Sequence, residues 1–462
     1  MRSFLIVLFL PLLAASAAFP SPCGNDSIAR FNDSVDRVSP DQRVFPVILE
    51  FQSALRVPAD GDDTTKLLAL CPADARWGET IALLEVNAKA LEVLQSIRGR
   101  TAMGRYQGPT DSVTRPKLDA SFSPLDVHTT HLGPIRTAHR LLWASARRAK
   151  EIGKQQVAAD ALAISIELAI LTAEEQMLIS MLQGAICLGD AAELAGRIVA
   201  ADPDFFTAES MSRLDAALAG ALDRIRFTTD SERALVEDLL DRLYCSDGKI
   251  ADEMSEANAF EFFLYMRKML DNPNPPTEAD RAVFREKYGK LASRTEMLNA
   301  LDQLFRQHDK LLRSTLVDPY LKQVREFEEK FWSGPPDRFL VLGVFLPGFD
   351  KLWRSREHAF LQIESARLAL QLAIDRRTRG TWAEPDTKLP STNPPLDRYT
   401  AKPLRYRIEN GRPLIYSLGP DQLDQQGRQI DELQKRTTPI DPKRAGDIPL
   451  WPKPLCDKTE ND

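Results

Sequence analysis

The residues best suited to chemistry are few, and three of the five histidines stand close together in the sequence. His128 and His131 are separated by two residues, with Asp126 just before them and His139 a little further on. Imidazole and carboxylate groups are common ligands of zinc, so this group is a candidate metal site. The spacing matches no closed metal-binding motif and falls in a predicted loop. We therefore interpret it as ordinary surface polarity.

Short catalytic motifs are missing from the sequence. It contains no Gly-x-Ser-x-Gly, no His-Glu-x-x-His and no phosphate-cradling glycine loop. An enzyme stays compatible with this observation, because catalytic triads assemble from distant positions. The run Asp60-Gly61-Asp62-Asp63 has the start of a calcium loop but lacks the later ligands and the glutamate. We interpret it as the lead-in to a helix.

The cysteines do not form a recognisable framework. There are five, at Cys23, Cys71, Cys187, Cys245 and Cys456, which is too few for a disulfide scaffold. None forms a Cys-x-x-Cys pair, so nothing supports a zinc or thioredoxin-like site. Cys187 lies in an apolar helical stretch and should be a small buried side chain. Cys23 and Cys456 could pair if the two ends of the chain meet.

Helical patterning accounts for most of the chain. Apolar residues recur at helical spacing from Thr64 to Leu94 and, more strongly, from Thr137 to about residue 245. The lengths of these segments suit antiparallel helical hairpins packed on one another. A boundary follows at Gly334-Pro335-Pro336, and a long helix is predicted from about Phe349 to Arg377.

The hydrophobic period then changes from that of a helix to that of a strand. Two runs of alternating apolar and polar residues flank Asn410-Gly411, with apolar positions at Leu404, Tyr406, Ile408, Leu414, Tyr416 and Leu418. An Asn-Gly pair between two such runs predicts a β-hairpin. Pro413 cannot donate to a ladder, so it belongs at an edge or a non-bonded position.

The predicted fold is mainly α: stacked antiparallel helical hairpins with a small α+β C-terminal module made of a long helix and a short antiparallel β-hairpin. The predicted organisation is a signal peptide over 1–18, a loosely structured lead-in over 19–62, a helical domain over 63–333 with a loop at 104–135, the α+β module over 334–452 and a C-terminal tail over 453–462.

The first eighteen residues predict export. Arg2 supplies a positive start, Phe4 to Leu13 form a short apolar region, and small residues offer cleavage near Ala17 or Ala18. The apolar run is shorter than the about 20 residues that a spanning helix needs. No later segment is expected to reach that length. We therefore expect a periplasmic or secreted protein with no integral membrane segment in the mature chain.

Composition bounds the class of partner. The 462 residues are 43% hydrophobic and 27% charged, which is typical of a globular protein. The formal net charge of -6 argues against a nucleic-acid binder, which would carry a basic surplus.

Three segments of the C-terminal part resemble the major pseudopilins of type II secretion. The run from Asp397 to Tyr406 resembles their Asp-Pro-x-x-Gly-x-Pro-x-x-Tyr segment, Tyr416 to Asp421 is similar to their Tyr-Ser-x-Gly-x-Asp strand exit, and Gly446-Asp447-Ile448 with Trp451 is similar to their closing segment. The resemblance covers roughly residues 338–452. Similar tails occur on exported bacterial helical proteins of unknown function.

The chain also departs from this family. Arg398 and Ala401 stand where the family has proline and glycine, and residues 428–445 look like an insertion. A pseudopilin begins with a processed filament-forming helix, whereas this chain begins with a conventional signal. A borrowed or degenerate module is therefore favoured over a pilus subunit.

The resemblance implies a calcium site, because the acidic loop of pseudopilins binds calcium. Asp421 and Asp424 have suitable spacing, and Asp447 could close the site from beyond the insertion. Gln422, Gln425 and Gln426 stand where the family tends to have glycine and acidic residues. A solvated turn is the alternative.

Three functions remain open. The favoured hypothesis is a non-catalytic exported scaffold whose helices bind a protein or peptide partner. The first alternative is an exported hydrolase with a dispersed active site. The second is an accessory of a secretion apparatus that acts through the pseudopilin-like module.

Overall fold

The computed structural model describes most of the chain from Ser27 onward. The described residues are 27–56, 61–108, 112–116, 129–175, 177–246, 249–260, 262, 277, 291–312, 326, 336–339, 341–342, 349–385, 394–419, 422–427 and 446–455. The predicted signal peptide over 1–18 lies outside them, as do Cys23, Asp126, His128, Asp421 and Cys456.

Helices make up most of the described structure, as predicted. The α-helices are α1 (Ser27–Asp36), α2 (Phe45–Ala54), α3 (Gly61–Leu67), α4 (Trp77–Val86), α5 (Ala88–Leu94), α6 (Leu132–Glu151), α7 (Gln155–Ala173), α8 (Leu178–Ala201), α9 (Ala208–Arg224), α10 (Asp230–Leu243), α11 (Arg294–Leu312) and α12 (Phe349–Arg379). Short 3-10 helices lie at Pro40–Gln42, Gln95–Ile97 and Pro336–Phe339.

Helix α8 is the centre of the packing. It contacts α7 on one side and α12 on another, while α6 packs on α7 and α9 packs on both α12 and α7. Most of its residues are buried, and the less buried positions, which include Asp190, Glu193 and Arg197, follow one stripe of the helix. Among the described residues, one hydrophobic cluster includes side chains on both sides of residue 334, from Val44 to Trp451.

Two glycines allow α8 to approach its neighbours closely. A Cβ on Gly184 would lie 2.5 Å from the carbonyl oxygen of Ala169 and from the backbone nitrogen of Ala173, both in α7. A Cβ on Gly189 would lie 3.0 Å from the Cα of Ala359 in α12. A larger residue at either position would force the backbones apart.

Helices α7 and α8 are also long and apolar enough to cross a membrane, judged by length and composition among the described residues. The expectation that no segment after the signal reaches spanning length is therefore wrong. Of their most apolar windows, 72% and 78% of the residues are buried inside the fold. Such burial is what the central helices of a packed core show.

The N-terminal residues differ from the loosely structured lead-in expected over 19–62. Their described part contains α1 and α2, and Phe45, Ile48 and Phe51 of α2 are fully buried. Pro46 lies in the first turn of α2, where its missing N–H has no cost. Likewise, α6 begins at Leu132, inside the loop expected over 104–135.

The predicted hairpin is present. Strands β3 (Arg405–Glu409) and β4 (Arg412–Ser417) pair antiparallel across Asn410 and Gly411, which both have positive φ. Strand β5 (Ile448–Trp451) pairs antiparallel with β4 and completes a three-stranded sheet in the order β3-β4-β5. A separate short pair joins β1 (Cys245–Ser246) to β2 (Lys249–Ile250).

The sheet and the chain beyond it are held against α8. The indole Nε1 of Trp451 donates to the carbonyl oxygen of Gly196 at 2.8 Å, and the ring meets Trp382 edge-on at 6.1 Å between centroids. The Nζ of Lys453 then lies 2.6 Å from the Oε2 of Glu193. Residues after β5 therefore run across the central helix.

Among the described cysteines, Cys245 is disulfide-bonded, whereas Cys71 and Cys187 are buried thiols. The predicted pairing of Cys23 with Cys456 lies outside the described residues.

Candidate functional site

A cavity opens between α1 and the extended segment 102–107, beside the turn that joins α7 to α8. Its volume is about 130 Å³. One water needs only about 10–15 Å³ of such space, whereas small-molecule sites typically have about 300–1,000 Å³. The cavity can therefore take one side chain or a few waters. The residues around it are Phe31, Ser34, Val35, Val38, Ala102, Met103, Gly104, Arg105, Gln107, Glu174 and Glu175.

Specific hydrogen bonds hold the two walls of the cavity together. The side-chain amide of Asn32 in α1 donates to the carbonyl oxygen of Gln107 at 2.9 Å and accepts from its N–H at 2.8 Å. The hydroxyl of Tyr106 donates to Asp36 at 2.6 Å. These three bonds join residues at least 70 positions apart in the chain, so the cavity depends on tertiary structure.

Gly104 permits the tight approach of the extended segment. Its φ is +68°, and a Cβ there would lie 2.4 Å from the Cγ of Arg43. The Arg43 side chain fills this space and donates from Nε to the carbonyl oxygen of Val38 at 2.9 Å. Only glycine satisfies both the backbone conformation and the close contact.

A buried ion cluster forms the polar end of the cavity. The carboxylate of Glu175 accepts from Arg105 Nε at 3.1 Å and lies 2.9 Å from His131 Nε2, and all three side chains are less than a tenth exposed. Burial alone would raise the pKa of Glu175. The charges of His131 and Arg105 outweigh that effect and hold its pKa well below the usual range.

This electrostatic arrangement restricts what the cluster can do. Glu175 stays ionised at neutral pH and is already occupied by two partners, so it is a poor proton donor or acceptor. Glu174, at the rim, accepts from the guanidinium of Arg224 at 2.8 and 2.9 Å. The acidic groups around the cavity are therefore matched by cations of the chain itself, and the remaining lining combines apolar side chains with Ser34 and Gln107.

Comparison of the chain with protein-family models, with curated proteins and with solved structures finds no match. The arrangement of the described residues is therefore the basis for any functional conclusion.

The structure separates the predicted histidine group. His131 pairs with Glu175, whereas Nδ1 of His139 lies 2.8 Å from the hydroxyl of Ser165, inside the contact of α6 with α7. Asp126 and His128 lie outside the described residues. His131 and His139 have different partners and are both buried, so the interpretation as surface polarity is wrong for these two.

The Ser165–His139 pair superficially resembles part of a hydrolase triad. Both side chains are fully buried, and the indole of Trp143 also donates to the Ser165 hydroxyl at 2.9 Å. Burial lowers the pKa of His139 to about 3, so its imidazole is neutral. No substrate can reach this serine without separating α6 from α7. The pair is a hydrogen-bonded part of the core.

Two members of the predicted calcium set, Asp424 and Asp447, lie among the described residues. Asp424 forms an ion pair with Arg405 and accepts from the backbone N–H of Gln426 at 2.8 Å. Asp447 is buried and accepts from the N–H of Gly427 at 2.6 Å. Among the described residues, no three His, Cys, Asp or Glu side chains gather as metal ligands. Arg405 supplies a positive charge to Asp424, and Asp421, the third member of the set, lies outside the described residues, so the calcium site stays a prediction.

Asp397, the first residue of the segment that resembles pseudopilins, holds the turn before β3 in place. Asp397 is buried and accepts from the Ser417 hydroxyl at 2.8 Å and from the backbone N–H groups of Tyr399 and Leu418, each at 2.9 Å. These bonds tie the turn before β3 to the end of β4. Ala401, where the family has glycine, has a φ of +53°.

Sequence reasoning missed the buried carboxylates. Glu175 and Glu232 both lie near the start of α8, and Glu232 accepts from the N–H of Leu178, its first residue, at 2.8 Å. The one available signal was the position of Glu175 next to the break between α7 and α8. Its partner Arg105 is 70 positions away in the chain, where the sequence predicts only a loop.

Proposed function

We propose that this protein is an exported, non-catalytic helical scaffold that binds a protein or peptide partner by accepting one aliphatic side chain of that partner in the cavity beside α1. The size of the cavity carries this conclusion. At about 130 Å³ it suits a single side chain, and it is well below the volume of a typical small-molecule site.

The lining supports an aliphatic guest. Phe31, Val35, Val38 and Met103 form an apolar wall, so burying a hydrocarbon side chain there removes apolar surface from water on both partners. The ion pairs of Glu174 and Glu175 satisfy the acidic groups within the chain. A positively charged guest would have to displace Arg224 from Glu174 or Arg105 from Glu175.

The hydrolase alternative has less support. The one serine–histidine pair described above is enclosed between α6 and α7, and Glu175 is held ionised by its partners. Neither group is arranged for acid–base or nucleophilic chemistry on an external substrate.

The test uses a photoreactive residue at Val38 in cells that export the protein. The matched variants are Ser34→Trp and Ser53→Trp, because both serines are exposed on helices and donate to a carbonyl of their own helix, but only Ser34 lines the cavity. We expect one reproducible partner, with its yield reduced at least about tenfold by Ser34→Trp and unchanged by Ser53→Trp.

Two results would contradict the proposal. Equal crosslinking yields from both tryptophan variants would show that the cavity does not take part in the interaction. Absence of any reproducible crosslinked partner would argue against the scaffold function. Turnover in a broad hydrolase screen, abolished by Glu175→Gln or Ser165→Ala, would instead establish the enzyme alternative.

We further propose that α6 to α10 are stacked antiparallel hairpins and that residues 338–452 follow a pseudopilin-like plan. The order of long helix α12 followed by the sheet β3-β4-β5 supports this plan. Helix α12 packs on α8 and α9, so part of its surface is used inside the molecule. This packing favours the scaffold over the secretion accessory.

A further inference from the structure

A groove runs along α8 between α6 and α12. Both helices pack on α8, and among the described residues they do not pack closely on each other. Gln183 of α8 faces α6, because it accepts from the guanidinium of Arg136 at 2.8 Å. Gly189 faces α12, where an added Cβ would lie 3.0 Å from the Cα of Ala359. The stripe of α8 between these two sides therefore forms the floor of the groove.

Asp190 lies on this floor. Solvent reaches the residue, which is exposed. Even so, desolvation by the surrounding protein is the largest influence on its carboxyl group and, together with the charge of Glu193, raises its pKa to about 7. A residue that is both accessible and surrounded by protein lies in a recess. No hydrogen-bond donor of the described part of the chain contacts this carboxyl group.

Cations outnumber carboxylates around Asp190. The charges that act most strongly on it are those of Glu193, Arg140, Arg197 and Lys453, which are three cations and one further carboxylate. Glu193 lies 2.5 Å from Nη2 of Arg197 and 2.6 Å from Nζ of Lys453. Taken together, these groups leave a net positive charge whether Asp190 is protonated or ionised. Such a recess attracts an anionic ligand.

Both walls of the groove supply hydrogen-bond donors. Arg140 of α6 is held in place by a bond to the Thr65 hydroxyl at 3.0 Å, and a guanidinium presents a planar fork of N–H groups that suits a carboxylate. His358 of α12 is exposed and lies near Lys453 and Glu193. Desolvation and the charge of Lys453 lower its pKa, so at neutral pH its imidazole carries one N–H.

The length of the groove suits a peptide. From Gln183 to Glu193 the floor extends about 15 Å, at about 1.5 Å per helical residue. The chain after β5 crosses α8 beyond this point, where the carbonyl oxygen of Pro454 accepts from Arg197 at 3.1 Å. An extended peptide rises about 3.3 Å per residue, so about four residues fit along the groove.

We propose that the groove between α6 and α12 binds an acidic peptide, with one peptide carboxylate accepting a hydrogen bond from the protonated carboxyl group of Asp190 between Arg140 and Lys453. The protonated Asp190 then supplies a donor in place of a negative charge. This site does not use the cavity beside α1.

Fluorescence anisotropy with the full chain tests the proposal. The probe is a rhodamine-labelled peptide of alternating alanine and glutamate, and its counterpart has glutamine in place of glutamate. At pH 6 and constant ionic strength, we expect the glutamate peptide to bind at least about tenfold more tightly. Arg140→Gln should weaken this binding at least about tenfold. Arg148→Gln, on the same helix but paired with Glu151, should not.

The role of Asp190 makes the binding depend on pH. The peptide carboxylates stay ionised from pH 6 to pH 8, whereas the complex takes up a proton at Asp190. Binding should therefore be at least about threefold tighter at pH 6 than at pH 8. Asp190→Asn should bind at pH 8 as tightly as the unaltered protein binds at pH 6, because its amide also donates. Asp223→Asn, at an exposed position on α9, should keep the pH dependence.

Three results would overturn the proposal: equal binding of the two peptides, equal effects of Arg140→Gln and Arg148→Gln, or an unchanged pH dependence in Asp190→Asn. The Asp190→Asn measurement decides the matter even if Arg140→Gln does not fold. Ser34→Trp should leave peptide binding unchanged, so failure of this proposal is distinguishable from failure of the cavity beside α1.

Discussion

Single buried carboxylates have opposite consequences for stability in this protein, depending on what surrounds them. Glu175 is buried beside Arg105 and His131, which keep it ionised. Glu232 is equally buried, but its described partners are the hydroxyl of Ser231 and the N–H of Leu178, which are neutral. Burial therefore raises the pKa of Glu232 to about 7, even though both hydrogen bonds lower it.

The folded protein should lose stability as pH rises through the range where Glu232 ionises. A carboxyl with a pKa near 4.5 when unfolded and about 7 when folded favours the folded state most below pH 4.5. The loss up to neutral pH is at most about 3 kcal/mol, since one pKa unit corresponds to about 1.4 kcal/mol. Glu232→Gln should remove this component, as measured by urea unfolding near pH 5 and near pH 8.

A matched variant separates this effect from the rest of the protein's titration. Glu237 lies on the same helix but is partly exposed and paired with Arg233. Glu237→Gln should keep the pH dependence of the unfolding free energy. If Glu232→Gln keeps it as well, Glu232 does not titrate in the way the structure requires.

Ala401 offers a second test at the scale of one residue. Its positive φ is costly for alanine and neutral for glycine. Ala401→Gly should therefore raise the free energy of unfolding by about 0.5–1 kcal/mol, the net of removed strain and the greater freedom of the unfolded chain. Ala217→Gly, inside α9, should lower it by about 1 kcal/mol. A decrease for both variants, measured by urea unfolding, would contradict the strain at residue 401.

At the scale of the elements, close approach between helices matters more than helix propensity. A Cβ added to Gly184 would clash with the backbone of α7, so Gly184→Ala should lower the free energy of unfolding by about 1–3 kcal/mol. A Cβ added to Gly220 in α9 would meet no atom within 4 Å, so Gly220→Ala should raise it by about 0.5–1 kcal/mol. Thermal or urea unfolding of the two variants checks the difference, and equal effects would argue against the α7–α8 contact.

Elements with a local cause were predictable from the sequence. The long helix α12 begins at Phe349, as its apolar spacing predicts, and the Asn410-Gly411 turn has the positive φ values that such a hairpin requires. Pro413 lies opposite Ile408, and the next pair, Glu409 with Arg412, closes the turn. Hydrogen-bonded and non-bonded pairs alternate along an antiparallel ladder, so Pro413 is at a non-bonded position, as predicted. In each case the deciding residues are neighbours in the chain.

The elements and contacts that depend on distant residues were not predictable. Helices α1 and α2 lie in a stretch with many polar residues and prolines, and they are stabilised by contacts such as Asn32 with Gln107, 75 positions apart. The contact of Glu232 with Leu178 spans 54 positions. A single sequence carries no mark of such partners, so the cavity and the buried carboxylates could only be found in the structure.

At the scale of the whole molecule, the continuous core makes the sheet and the helices interdependent. Trp451 is buried against α8 and Trp382, so Trp451→Ala should cost about 3–5 kcal/mol. We expect the helical circular dichroism signal to melt in one transition, at a lower temperature than in the unaltered protein. Leu423→Ala, at an exposed position near the sheet, should not shift it. Loss of the sheet with unchanged helix melting would contradict a shared core.

The contact of Trp451 with Gly196 also has a consequence for the order in which the chain can fold. Helix α8 emerges during synthesis about 150 residues before α12 and about 250 before Trp451. Until then the side of α8 that these partners cover stays exposed, and the nascent polypeptide has no complete core. The native state is therefore acquired only after almost the entire polypeptide has been synthesised.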